Sequence, residues 1–298
     1  MRNKSTPRWA AALTVAGSVL ALVVSNVGSS AAQTPTHPDV SVQHVAASPA
    51  HSSSPKPTIV LVHGAWADGP SWAGVTARLQ RKGFTVDVPP NPLRGVAADA
   101  QGLKDFLSTI SGPIVLVGHS YGGMVITNAA TGNANVKALV YIDAYIPQQG
   151  DTVNALTGAE PGSVLHVPDP TTVFNLVKLH DPLDATKVIG VDLYVKPSLF
   201  PSYFAAGVRA NKAALLAAGQ RPLSASALDE PSPNVPAWKT IPSWDLIGTA
   251  DRVIPPAEQE IMADRAGSHV VKVKAPHLSM VSDPCAVTDL ITTAAAHS

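Results

Sequence analysis

The segment Gly118-His119-Ser120-Tyr121-Gly122-Gly123 carries the clearest chemistry in this sequence. Gly-x-Ser-x-Gly is the pattern of a nucleophile elbow when a strand runs into it and a helix runs out. An apolar run over residues 114–117 precedes it, and a helical pattern opens near Tyr121. The turn is so sharp that side chains at 118 and 122 would clash, which accounts for Gly118 and Gly122. Ser120 is then thrust out at the carboxyl end of a sheet, where the helix N-terminus favours developing negative charge. Such a serine needs a histidine to take its proton, a carboxylate to orient the imidazole, and N–H groups to hold an oxyanion.

The elements that must position these groups alternate along the chain. Residues 58–63 form a continuous apolar run ending at Gly64, as a strand buried on both faces reads. The spacing predicts a helix over 71–82 closed by Gly83, then a short strand over 84–88 cut off by Pro89 and Pro90. A helix over 96–110, a strand over 114–117, a helix over 121–130 and a strand over 136–142 follow. This repetition implies right-handed crossovers and a parallel sheet. The next strand-like run, 244–247, begins about a hundred residues after Ile142, whereas a crossover needs only about a dozen. Residues 147–235 are therefore expected to be an insertion. Helical stretches over 171–179 and 204–218 mark it as a mostly helical cap. A helix over 255–266, a strand over 269–273 and a helix over 284–296 complete the pattern, which has no internal repeats.

Four separated motifs carry a resemblance: His63-Gly64-Ala65-Trp66, the elbow, the run from Leu246 to Pro255, and Ala275-Pro276-His277-Leu278-Ser279-Met280. Over residues 57–298 the chain resembles the α/β-hydrolases, in the branch of small capped esterases that includes plant methylesterases and hydroxynitrile lyases. The resemblance implies an α/β fold, a mostly parallel sheet flanked by helices with an inserted helical cap. It implies catalysis by Ser120, His277 and an acid. For the acid it points to Asp251, after the strand over 244–247. Asp143, after the strand over 136–142, is the alternative, because some members place the acid there. The oxyanion hole falls to the N–H groups of Tyr121 and, by family position, Ala65. No cofactor or metal is required. The lyases of this branch use a threonine and a lysine where this chain has Gly64 and Leu278. A cyanide leaving group would lack its cationic partner, so lyase chemistry is not expected. Nor are the dehalogenases and epoxide hydrolases of this fold, whose nucleophile is an aspartate.

The other histidines read differently. His119 is fixed inside the elbow, His269 opens a strand, and His166 and His180 fall in the cap as surface or substrate-lining groups. Tyr145, Phe174, Tyr194, Phe200 and Tyr203 are candidates either to line a pocket or to fill the cap core.

Composition narrows the class. The chain has 298 residues, 21 basic against 21 acidic, with 45% hydrophobic and 14% charged residues, which excludes a disordered chain. Balanced charge offers no basic patch for nucleic acid. The lone Cys285 allows neither an intramolecular disulfide nor a multi-thiolate metal site. Arg2, Lys4 and Arg8 precede an uncharged, largely apolar run over 9–24 and then Ser30-Ala31-Ala32. That is the pattern of a secretory signal peptide over 1–32, cut after Ala32. Its 16-residue run is short for a membrane span, which needs about 20, so no stable membrane insertion is expected after cleavage. Removing three cations leaves 18 basic against 21 acidic residues. Residues 33–56, rich in Pro, Ser, Thr and Ala, read as a flexible linker in which His37, His44 and His51 are solvated. The expectation is a secreted serine hydrolase acting on a small-molecule ester through an acyl-enzyme. An acyltransferase or perhydrolase sharing that intermediate, a lactone or amide hydrolase, and a non-catalytic binder are the alternatives.

Overall fold

A computed structural model describes residues 56–298. The signal-peptide reading of 1–32 and the linker reading of 33–56, Lys56 apart, lie outside the described residues. The elements of the main sheet are β1 (Thr58–Val62), α1 (Ala73–Arg81), β2 (Val86–Asp87), α2 (Val96–Leu107), β3 (Ile114–His119), α3 (Gly122–Ala129) and β4 (Val136–Ile142). After the insertion come β8 (Ser243–Gly248), α7 (Pro256–Ala266), β9 (His269–Val273), α8 (Ser279–Ser282) and α9 (Pro284–Ala296).

The six strands are all parallel, in the order β2-β1-β3-β4-β8-β9. β1, β3 and β8 are almost wholly buried, because helices cover both faces, and their Val, Ile and Leu runs suit that environment. The chain steps from β1 to β2 in one direction and returns past β1 to β3 in the other. With right-handed crossovers, α1 and α2 must therefore lie on opposite faces. α9 joins α1 and packs on β4 and β8. Its apolar stripe, Val287, Leu290, Ile291 and Ala294, is buried at helical spacing. Pro284 occupies its first position, and the Asp283 carboxylate accepts from Ala286 N–H at 3.1 Å. The reversal of strand order lies between β1 and β3, and a crevice at the carboxyl ends of strands there is the binding position of open α/β sheets.

The insertion corrects the expected helical cap. It holds α4 (Val153–Ala159), β5 (Phe174–Asp181), β6 (Asp184–Val195), α5 (Phe200–Tyr203), α6 (Ala210–Ala218) and β7 (Leu223–Ser224). β5, β6 and β7 form a three-stranded antiparallel sheet. The helix expected over 171–179 is thus a strand, and the one expected over 204–218 begins only at Ala210. The physical reason is legible in hindsight. Asp181-Pro182-Leu183-Asp184 is a tight connection, and the Asp181 carboxylate accepts from Leu183 N–H at 2.9 Å. The β-branched run Val188-Ile189-Gly190-Val191 beyond it disfavours a helix and supports a hairpin. At its base the hairpin is tied to the core. Trp66 donates through Nε1 to Leu193 O at 2.8 Å and stacks on Phe174, with ring centroids 5.3 Å apart. Arg94 pairs with Asp192 at 2.6 Å.

Candidate active site

Ser120 sits between β3 and α3 with φ 53°, in the left-handed region that a serine rarely occupies. The strained turn is held on both sides. Ser120 O accepts from Gly123 N–H at 2.9 Å and from Tyr145 N–H at 3.3 Å, and Ser120 N–H donates to Ile142 O at 3.3 Å. The glycines follow from crowding: a Cβ on Gly122 would lie 2.7 Å from Val62 O, and one on Gly64 2.7 Å from Ser120 Cβ. β1 and β3 pair Val62 with Gly118, so the loop after β1 lies beside the elbow.

His277 comes from the loop between β9 and α8 and is buried. Its Nε2 is 3.0 Å from Ser120 Oγ and its Nδ1 2.8 Å from Asp251 Oδ2. Asp251 follows β8. Its Oδ1 accepts from Val253 N–H at 2.7 Å and Ile254 N–H at 3.1 Å, and its Oδ2 from Gln259 Nε2 at 2.8 Å. Burial drives the imidazole well below its ordinary value of 6.5 and so keeps it neutral. The same burial pushes the Asp251 carboxyl up, against the pull of its N–H donors. A neutral imidazole can accept the Ser120 proton at Nε2 while donating from Nδ1 to the carboxylate.

Asp143, the alternative acid, does different work. It follows β4 with φ 46° and is fully buried. Its Oδ1 accepts from Gly248 N–H at 2.8 Å, and its Oδ2 from Ser279 N–H at 3.1 Å and from the Ser279 hydroxyl. The carboxylate therefore grips the end of β8 and the loop that carries His277, and Asp251 is the partner of the ring. His119 donates through Nε2 to His277 O at 3.0 Å, with rings 4.8 Å apart. Burial holds it neutral.

Among the described residues, neither Ala65 N–H nor Tyr121 N–H donates to a protein acceptor. Both belong to residues lining the pocket that contains Ser120. Each donor is braced from behind. Asn91 N–H donates to His63 Nε2 at 3.1 Å, so the ring proton is on Nδ1 and goes to Gly64 O at 2.9 Å. Asn91 Nδ2 donates to His63 O at 2.9 Å. On the other side the Tyr121 hydroxyl donates to Asp99 Oδ2 at 2.9 Å.

The pocket over Ser120 is narrow, about 50 Å³, and lined in part by the cap. Tyr145 and Phe174 line it, as do His166, Asn154 and Leu228. Phe200 instead packs on Phe204 in the core, and neither Tyr194 nor Tyr203 reaches the pocket. His180 lies exposed on β5, and His269 packs against Trp244, ring centroids 5.1 Å apart.

The profile of the Alpha/beta hydrolase family matches residues 59–290. The chain belongs to that family. Relatives of this chain include the carbendazim hydrolyzing esterase of Nocardioides sp. (strain SG-4G), 39% identical over 33% of this chain and 46% of that protein. The alpha/beta hydrolase nvfD of Aspergillus novofumigatus is 28% identical over 80% of this chain and 97% of that one. The match thus spans about half the length of the first of these relatives and nearly all of the second. Among solved structures, a methylesterase from Arabidopsis superposes with TM-score 0.63 at 17% identity, over 81% of this chain and 100% of that one. A pyrethroid hydrolase from Sphingobium faniae JZ-2 gives 0.62 at 21%, over 80% and 97%.

Gln259, Asn91 and Asp99 went unseen in the sequence. Each is a polar side chain on a helix or loop that reads as solvated, and each is buried on a partner brought in by the fold. Asp99 alone left a faint signal, a carboxylate in the first turn of a helix.

Proposed function

We propose that this protein is a serine hydrolase that cleaves carboxylic esters. The observation that carries the reading is the unbroken relay from Ser120 through His277 to Asp251, beside two amides without protein acceptors. Ser120 Oγ attacks the ester carbonyl as its proton passes to His277 Nε2. The Ala65 and Tyr121 N–H groups hold the tetrahedral oxyanion, each donor being typically worth about 3 kcal/mol. His277 returns the proton to the departing alkoxide, leaving an acyl-Ser120. Water then gives a proton to His277 and attacks the acyl carbonyl, and the proton returns to Ser120 as the acid leaves. The esterase and hydrolase names of the relatives support the same chemistry. The narrow pocket favours a short acyl group.

Hydrolysis of p-nitrophenyl acetate, butyrate and octanoate, beside purified Ser120→Ala, tests this. Activity falling from acetate to octanoate and absent from the variant supports it, whereas a folded variant retaining wild-type rate removes Ser120 from the mechanism. Product analysis with a competing alcohol or peroxide separates hydrolysis from acyl transfer. Residues 1–32 we read as a signal peptide, supported by the basic, apolar and small-residue order of that stretch. A mature N-terminus near Gln33 is expected, and an intact Met1 in a membrane fraction would overturn secretion.

A further inference from the structure

The two proposed oxyanion donors are mounted differently. Tyr121 N–H sits on the elbow, whose Ser120 backbone bonds to Ile142, Gly123 and Tyr145, all buried around the main sheet. Ala65 is held from both sides. The peptide before it is fixed by His63, whose Nδ1 donates to Gly64 O at 2.9 Å. The peptide after it is fixed by the cap, because Trp66 N–H donates to Arg221 O at 3.0 Å.

The Trp66 side chain is bound to the cap as well. Its Nε1 donates to Leu193 O at 2.8 Å. Its ring stacks on Phe174 and meets Phe204 edge-on, with centroids 5.3 Å and 5.8 Å away. Trp66 has φ 55°, a left-handed value that bulky side chains avoid. Such a conformation persists only where the surroundings over-determine it, and here those surroundings are cap residues. The two acceptors move together, since β6 pairs with β7, Leu193 facing Leu223 and Asp192 facing Ser224. Arg94, in the loop after β2, grips the same two segments. One guanidinium nitrogen lies 2.6 Å from Asp192 Oδ1, and the other donates to Pro222 O at 3.0 Å. That loop also carries Asn91, which holds His63. A single loop thereby sets the spacing between the two anchors of Ala65.

We infer that Trp66 is a positioning residue through which the cap directs the Ala65 N–H, so that the position of β6 decides whether this oxyanion donor points at the reacting carbonyl. Freed of Leu193 O and Arg221 O, Trp66 returns to a negative φ, and the peptide joining it to Ala65 turns. Arg94 supports the same mount from the surface. The effect on catalysis rests on the ester-hydrolase reading, whereas the mount does not.

Trp66→Phe keeps a ring against Phe174 and removes the bond to Leu193 O. Its kcat/KM for p-nitrophenyl acetate should fall about tenfold, less than the loss of a whole donor, which costs about a hundredfold or more. Trifluoroacetone separates positioning from folding. Ser120 Oγ adds to its carbonyl carbon, the serine proton passes to His277, and the carbonyl oxygen becomes an oxyanion on the same donors. Its Ki should rise by the factor that kcat/KM loses, whereas a smaller folded fraction lowers the rate and leaves Ki unmoved. Arg94→Gln, at an exposed position, breaks the tie to the cap without touching Trp66. It should raise Ki in the same direction and, in amide NMR of the whole protein, move the Ala65 resonance more than that of Tyr121. Ki unchanged in both variants would overturn the positioning role. An Ala65 resonance unmoved in Arg94→Gln would overturn the mount, whatever reaction the protein catalyses. A wild-type rate that Ser120→Ala leaves intact would sink the hydrolase reading alone, with the NMR arm still deciding the mount.

Discussion

Two buried aspartates stand at equivalent places, each just beyond the carboxyl end of neighbouring parallel strands. Asp251 follows β8 and meets the imidazole of His277, whereas Asp143 follows β4 and meets the backbone and hydroxyl of Ser279 two residues further on. One carboxylate orients the ring and the other anchors the loop that bears it. The lesson is that burial and position alone do not nominate a catalytic acid. What distinguishes the two is which donor each one faces.

Removing the histidine that both serve gives the largest effect. His277→Ala should lower ester turnover on the order of a millionfold, measured with p-nitrophenyl acetate. The comparison itself is tested next. Asp251→Asn should cost about ten-thousandfold in kcat by favouring the wrong imidazole tautomer. Asp143→Asn should cost on the order of a hundredfold, as a displaced loop does, and should lower thermal stability as well. Equal losses in kcat, with Asp143→Asn fully folded by circular dichroism, would break the distinction.

The pH profile sharpens it further. Catalysis needs His277 neutral, and burial lowers its value from 6.5, so the acid limb of kcat/KM should move to lower pH. A solvated imidazole would instead give a rise through roughly pH 6 to 7. A limb at or above 6.5 would mean that the negative charge of Asp251 outweighs burial.

The smallest effect concerns a third carboxylate. Asp245 lies within β8, and among the described residues neither of its oxygens has a partner. Burial first, and the charge of Asp143 second, raise it well above its ordinary value of 3.8. The folded state therefore binds the proton more tightly than the unfolded chain. Stability from this group is fully present below about 3.8 and is lost as pH rises through the folded value. Asp245→Asn should flatten that slope and raise Tm at pH 8 by about 2–4 °C. A slope identical to wild type would show that Asp245 does not titrate across it.

Much of the core was readable because its signals are local. The strand over 136–142 and the helix over 284–296 have the expected bounds, since apolar runs, prolines and a capping Asp283 act over a few residues. Ser120, Asp251 and His277 were readable because each closes a strand, and a parallel sheet brings such ends to one edge. The cap was not. Its 171–179 segment has an apolar spacing that suits either a helix or a strand, and pairing with β6, not propensity, decided the outcome.

The sequence by itself determined the sheet, the elbow and the three residues that could do the chemistry, because period, glycine and chain order are properties of the strand of residues. Tertiary structure alone decided which aspartate faces the imidazole, which polar groups brace the segments of Ala65 and Tyr121, and how low burial sets the histidine. Those depend on distances of about 3 Å between residues far apart in the chain, and on the loss of water around them, neither of which local sequence encodes.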